Sequence, residues 1–470
     1  MAVQAAFIRH LFQGGGATDF GHNVDAGFDQ DTIIQIPFLL EAENCIYDIH
    51  GGVGTMPGAD KLNSSALESG AAIKGIYDFW ITGGSGTPLQ KRVVHVGTKV
   101  KKDDADATFT DILTGMTSGA VPVYAVLEDL LIMVNGTDVP KSWDGTTAGN
   151  LGGTPATFAW VVAHKNRMWG GGAPSNPSRL YYSAQLAPAD WVGAGSGSID
   201  IDSDDGDGLV GGVSHKDELL VFKGPYVGSI HRITGSSPSD FARKNFINGV
   251  ACAGHNTIFS YRDDVGFIAS DGIVRSLNAT AAYGDFTEAT LSLPINEWIR
   301  ENVNFARLKH SWCKNFSSLG IVLMAVPING SLNPNAVLMM DYRLSTQNVL
   351  GEHQQTPVRW ALWSAFDTQC VSLATMIDPN DSNRKIIVGG GSDGFIRRLG
   401  RPERSIDGSE AISFIVKTPA FTYATPIIKK TIFAGSIGLV PHGSGDLTFI
   451  WTRDNGNQQF ALRPVIGERQ

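Results

Sequence analysis

The sequence predicts an all-β protein: a β-propeller of about seven blades, with a second, small antiparallel β-sandwich forming a platform. Three observations predict it. The 470-residue chain holds 55 glycines and only 18% charged residues. A typical soluble domain has about 7% glycine and about 25% charge, so turns are many and the class is turn-rich and folded. Short apolar strands recur with turn glycines at 97, 136, 224, 272 and 394. The interval from Gly97 to Gly394 divides into seven steps of about 42 residues, the period of a propeller blade. After Arg401-Pro402-Glu403 the pattern changes to longer alternating strands, as in a half-buried antiparallel sheet.

In chain order, residues 1–32 read as an extended N-terminal arm around Gly14-Gly15-Gly16. Residues 33–64 carry strand candidates at Ile33–Ile36 and Asn44–Ile49, followed by the turn Gly51–Gly58. Residues 65–405 form the propeller. Its clearest strand–turn–strand units are Val93–Val100, Leu130–Val139, Leu219–Gly224, Gly266–Val274 and Ile386–Ile396. Between them Ala159–Val162, Arg167–Trp169, Gly320–Met324 and Val337–Tyr342 also read as strands. Near-helical apolar spacing predicts one helix, Leu293 to Arg307. Residues 406–470 supply alternating strands at Ile412–Val416, Lys429–Phe433 and Asp446–Trp451, and with residues 33–64 complete the platform. The competing architecture is a large sandwich or solenoid with coincidental spacing.

With 37 Lys and Arg against 46 Asp and Glu, the net charge of −9 lacks the overall basic footprint of a nucleic-acid binder. Four cysteines, at 45, 252, 313 and 370, form no C-x-x-C pair and suit buried thiols of a reducing compartment. The first residues lack the charged, apolar and cleavage order of a secretory signal, and no apolar run is long enough to span a membrane. Gly52–Lys61 lacks the Gly-Lys-Ser/Thr ending of a phosphate loop and reads as a turn. No HxH, HxxxH or HExxH pair, GxSxG elbow, kinase set or glycosidase carboxylate pair stands out, so no catalytic residue and no cofactor is expected.

The densest acidic feature is Asp200-Ile201-Asp202-Ser203-Asp204-Asp205-Gly206-Asp207-Gly208. Asp200, Asp202 and Asp204 match positions 1, 3 and 5 of a calcium loop and are the one candidate metal site. Asp205 stands where glycine belongs, however, and Gly211 replaces the bidentate glutamate at position twelve. The loop is therefore expected to be an exposed, solvated turn leading into Leu219–Phe222, with no metal bound.

Laid in order, several stretches are similar to one family. Gly51–Gly58 with Lys61-Leu62-Asn63 and Ile76–Phe79, then Asp202–Asp207 followed by Leu219–Lys223, then Phe267–Ile273 leading to Tyr283–Phe286, resemble the tail nozzle or tail-hub propellers of short-tailed phages. These are also called virion stabilisation proteins. The resemblance covers residues 33–400 and rests on structural turns. It implies a structural virion protein, made in host cytoplasm and built into the tail as a ring, usually a homohexamer. Such a ring lies below a tail adaptor protein, with fibres or spikes outside and viral DNA passing through. It carries no catalytic residues. A net acidic wall suits transient contact with DNA, because lysine and arginine facing phosphate would add salt-dependent drag. Two other functions stay open: a carbohydrate-binding or glycan-cleaving propeller in receptor recognition, and a cytoplasmic scaffold propeller.

Overall fold

Seven sheets follow one another along the chain as blades, each a run of sequence-adjacent antiparallel strands. The computed structural model describes residues 41–417 apart from 48–52, 83–85, 87, 104–107, 154–156, 278–289, 344–357, 369, 379–380 and 404, together with 447–453 and 456–462. The expected N-terminal arm, the strands at 33–36 and 429–433, and Tyr283–Phe286 lie outside these residues.

Blade one is Ile73–Thr82, Pro88–Val96, Lys99–Asp103 and Phe109–Leu113. Blade two is Val123–Leu127, Leu130–Val134, Lys141–Trp143 and Ala148–Asn150. Blade three is Trp160–His164, Arg167–Gly171, Arg179–Tyr182 and Gly197–Asp200. Blade four is Gly208–His215, Glu218–Gly224, Ser229–Thr234 and Ala242–Asn248. Among the described residues blade five has three strands, Ile258–Tyr261, Asp264–Ile268 and Val274–Ser276. Blades six and seven open with Trp312–Phe316, Ile321–Val326, Ala336–Asp341 and Arg359–Trp363, and with Ser372–Asp378, Asp381–Gly390 and Ile396–Arg401.

All five turn glycines of the sequence pattern end or follow the second strand of a blade, in blades one, two, four, five and seven. The interval from Gly97 to Gly394 thus holds six steps of about 50 residues, not seven of about 42. The seven-blade count stands, while the step is longer. Gly394 shows why glycine recurs there: its φ of +77° is costly for other residues, and a Cβ would lie 2.7 Å from the Leu67 carbonyl oxygen.

The division into a propeller over 65–405 and a platform of 33–64 with 406–470 needs correction. Gly58–Lys61, expected to be a turn, is a strand: it pairs antiparallel with Ile396–Arg401 as the fourth strand of blade seven. Ser405–Ile406 then pairs parallel to it, and Glu410–Ala411 pairs with Ser405–Ile406. Glu41–Glu43 pairs parallel with Arg359–Trp363 of blade six and antiparallel with Ile415–Lys417. The N-terminal strands and the segment after Pro402 do meet, but as outward extensions of two blades. The physical reason is edge satisfaction: the last strand of a blade leaves a row of unpaired backbone groups, and the nearest chain covers it. By compactness the chain divides into Met1–Pro419 and Ala420–Gln470. The second unit contains the antiparallel hairpin Leu447–Arg453 with Gly456–Leu462.

Side chains lock these added strands in place. Asn44 donates to Ser364 Oγ at 3.0 Å and to the Ser413 carbonyl at 2.9 Å, and accepts from the Ala365 amide at 2.9 Å. Trp363 donates to the Cys45 carbonyl at 2.8 Å, and Tyr47 to the Trp360 carbonyl at 2.6 Å. Beneath them Arg359 and Asp341, both 0% exposed, pair at 2.7 Å, with the Arg359 guanidinium 4.8 Å from the Tyr47 ring centre. Between blades the core is aromatic: Trp143, Trp160, Trp169, Trp360 and Trp363 are all fully buried. Each removes on the order of 200 Å² from water, an upper bound of on the order of 5 kcal/mol in transfer free energy.

The predicted helix, Leu293 to Arg307, is broken up. A 3₁₀ turn at Leu293–Ile295 leads into an α-helix at Asn296–Asn302, and a second 3₁₀ segment spans Phe305–His310. Val303 interrupts them in an extended conformation, and Ile295, Ile299 and Leu308 are the buried anchors.

Truncation separates these contributions. Removing residues 1–62 deletes the outer strand of blade seven, and thermal unfolding followed by circular dichroism should lose its cooperative transition. A chain ended at Pro419 should keep the wild-type transition.

Candidate functional site

The acidic loop joins the outer strand of blade three, Gly197–Asp200, to the first strand of blade four, Gly208–His215. Three of its five carboxylates are taken by cations from three neighbouring strands. Asp200 forms a bidentate pair with Arg179 at 2.6 and 2.9 Å, across a register that sets the two residues opposite each other. The Arg179 guanidinium holds the Asp200 carboxyl below the usual carboxylate range. Asp202 pairs with Arg243 and lies 3.4 Å from His231 Nε2. Asp204 is exposed.

The centre of the cluster is a residue that sequence reading passed over as part of a strand. Lys223, 0% exposed, sends its ammonium group into the loop. It donates to both Asp205 carboxylate oxygens at 2.6 Å, to the Asp202 carbonyl at 2.6 Å and to the Ile201 carbonyl at 3.1 Å. Burial would raise the Asp205 carboxyl, but the Lys223 ammonium and the Asp207 amide hold it low. Asp207 is buried and accepts from three successive amides, Tyr226, Val227 and Gly228, at 2.8, 2.8 and 2.7 Å. The loop therefore clamps the turn between the second and third strands of blade four. The expectation of a solvated turn is corrected: blade packing delivers protein cations where water was expected. Asp200, Asp202 and Asp204 are not brought together as a ligand set. Among the described residues no group of three or more His, Cys, Asp and Glu converges on a metal position.

Other chemistry-bearing groups are engaged in structure. The Ser229 hydroxyl lies 2.8 Å from His231 Nε2, but His231 is wholly enclosed and burial pushes its imidazole down. His164 Nδ1 lies 2.8 Å from the Ser214 hydroxyl. Burial pushes this imidazole down to about 4, too weak a base to activate a hydroxyl at neutral pH. All four cysteines are buried free thiols. Burial pushes Cys252 up to about 11 and Cys45 to about 12, and raises Cys313 and Cys370 as well, which disfavours the thiolate form at neutral pH.

Two measurements test this account. Lys223→Met leaves Asp205, the buried Ile201 carbonyl and the partly buried Asp202 carbonyl without their donor and should destabilise the fold by about 3 kcal/mol in denaturant unfolding. EDTA should leave the wild-type melting temperature within about 1 °C, because protein cations, not a bound ion, neutralise the loop.

Acid sensitivity is a second consequence. Burial lowers His95, His164 and His310 to about 4 and His255 to about 3. Each is neutral in the fold at a pH where the unfolded chain, titrating at about 6.5, binds a proton. Stability should therefore be flat above about pH 6.5 and fall progressively toward pH 4. His95→Leu should flatten that descent in a pH series of melting curves, since both His95 ring nitrogens lack a hydrogen-bond partner.

No family model matches this chain, and no curated protein matches it. Among solved structures 439 chains match. One of them, YCF48 bound to D1 peptide, aligns at 11% identity with a TM-score of 0.42, over 73% of this chain and 97% of that chain.

Proposed function

We propose that the chain is a structural subunit of a phage tail nozzle or hub: a non-catalytic propeller that self-associates into a ring placed between a tail adaptor and fibres or spikes. The observation that carries this reading is the enlargement of blades six and seven. Segments from both sides of the propeller, Glu41–Glu43 with Ile415–Lys417 and Gly58–Lys61 with Ser405–Ala411, widen two successive blades to six strands each. Such reinforcement suits a part that bears load between neighbours. The use of acidic, histidine and cysteine side chains in internal ties supports the same reading, as does the sequence resemblance. The net charge of −9 is compatible with DNA sliding past without being held. Among the described residues no helix is long and apolar enough to cross a membrane.

The test is assembly. Purified protein viewed by negative-stain electron microscopy at micromolar concentration should form closed rings of about six copies. A particle that stays monomeric, and a tail in which mass measurement finds a single copy, would overturn the proposal. Glycan cleavage by the purified protein would favour the receptor-recognition alternative.

A further inference from the structure

A cavity of about 270 Å³ opens where the inner strands of blades one, six and seven converge. Its polar lining comes from Tyr77, Asp78, Lys314, Thr375 and Lys385. Asp78 is the one carboxylate among these, and it is already occupied. It accepts from the Trp80 indole at 3.1 Å, the Gln90 amide at 2.8 Å and the Ile377 backbone amide at 2.9 Å. The cations are not occupied. Among the described residues neither Lys314 nor Lys385 makes an ion pair or a hydrogen bond, and the Thr375 hydroxyl has no partner. The Lys314 ammonium lies 5.8 Å from the centre of the Trp312 ring. Burial pushes the Lys314 ammonium below the ordinary lysine range, opposed by Cys313 and reinforced by Lys385. The chain thus directs two ammonium groups and a hydroxyl into one space, although it is acidic overall.

A partly buried ammonium without a counter-charge, as at Lys314, is costly unless an anion joins it, and the exposed Lys385 lines the same cavity. We propose that this cavity is a binding site for a small phosphate-class oxyanion, held between Lys314 and Lys385 with Thr375 donating a further hydrogen bond. Phosphate chemistry fits because it offers several acceptor oxygens and more than one negative charge to donors approaching from different blades. The volume lies just below the ~300–1,000 Å³ of sites for drug-sized ligands, which suits an anion of a few heavy atoms and excludes a duplex nucleic acid. The site belongs to one propeller and does not depend on ring formation.

Isothermal titration of the full-length protein with sodium pyrophosphate, in about 150 mM potassium chloride to suppress diffuse charge effects, tests the proposal. Saturable binding is expected. Lys314→Met and Lys385→Met should each weaken it at least about tenfold, and the double variant should abolish it. Lys216→Met, which removes an exposed lysine paired with Asp263 at 3.0 Å, should bind as wild type. Should Lys314→Met fail to fold by circular dichroism, Lys385→Met at its exposed position decides alone. No saturable heat up to about 10 mM pyrophosphate, or lysine variants that bind as tightly as wild type, overturns the assignment.

Discussion

A propeller is a row of sheets that becomes a ring only when its ends are joined, and here the joint is four residues long. Gly58–Lys61 lies against Ile396–Arg401 in the register Lys61 to Arg397, Asp60 to Arg398 and Ala59 to Leu399. The backbone pairing is reinforced by charge. Arg398 binds Asp60 at 2.7 Å and Asp378 at 3.2 Å, while Lys61 reaches Asp407 at 3.1 Å. Gly58 sits so close to the following strand that a Cβ would fall 2.2 Å from the Glu403 and Ser405 carbonyl oxygens. The contact between the first and last blades depends on this closure, because an open ring would leave each of them with an unpacked face.

Ion pairs elsewhere repeat the same logic at smaller scale. The Lys223 cluster joins blade three to blade four through their connecting loop, and Arg359 with Asp341 fixes blade six beneath the added N-terminal strand. A buried ion pair contributes little net stability compared with apolar packing of the same volume. What it supplies here is register. Lys223 is satisfied only when two carbonyls and Asp205 arrive together, so a slipped blade-four strand would leave a buried cation unmatched.

The blades were legible in the sequence because each depends on local signals: an apolar strand, a turn glycine and a second strand within a few residues. The joint was not. Gly58-Ala59-Asp60-Lys61 has neither β-branched residues nor alternation, and its partner lies more than three hundred residues away, so it read as a turn. The acidic loop failed differently. Its five carboxylates are plain in the sequence, but Arg179, Lys223 and Arg243 are separated from them by whole strands, and only the stacking of blades brings them in. Lys314 and Lys385 sit inside ordinary strand patterns, and nothing local marks them as facing one cavity. The helix was half legible: its apolar spacing was visible, while the extended Val303 that divides it was not.

Closure by an early strand sets a schedule for synthesis. Asp60 is separated from its partner Arg398 by 338 residues. At about 5–20 residues per second, a ribosome needs on the order of 20–70 s to bridge that gap. Throughout that interval the blades can form one by one as they emerge, yet the molecule stays an open chain with its fastening strand unengaged. Crowded polysomes would place such waiting strands beside the unfinished last blades of neighbouring chains, where exchange between copies competes with closure within one. Low translation density, or a helper that shelters the first sixty residues, would favour monomers that close on themselves.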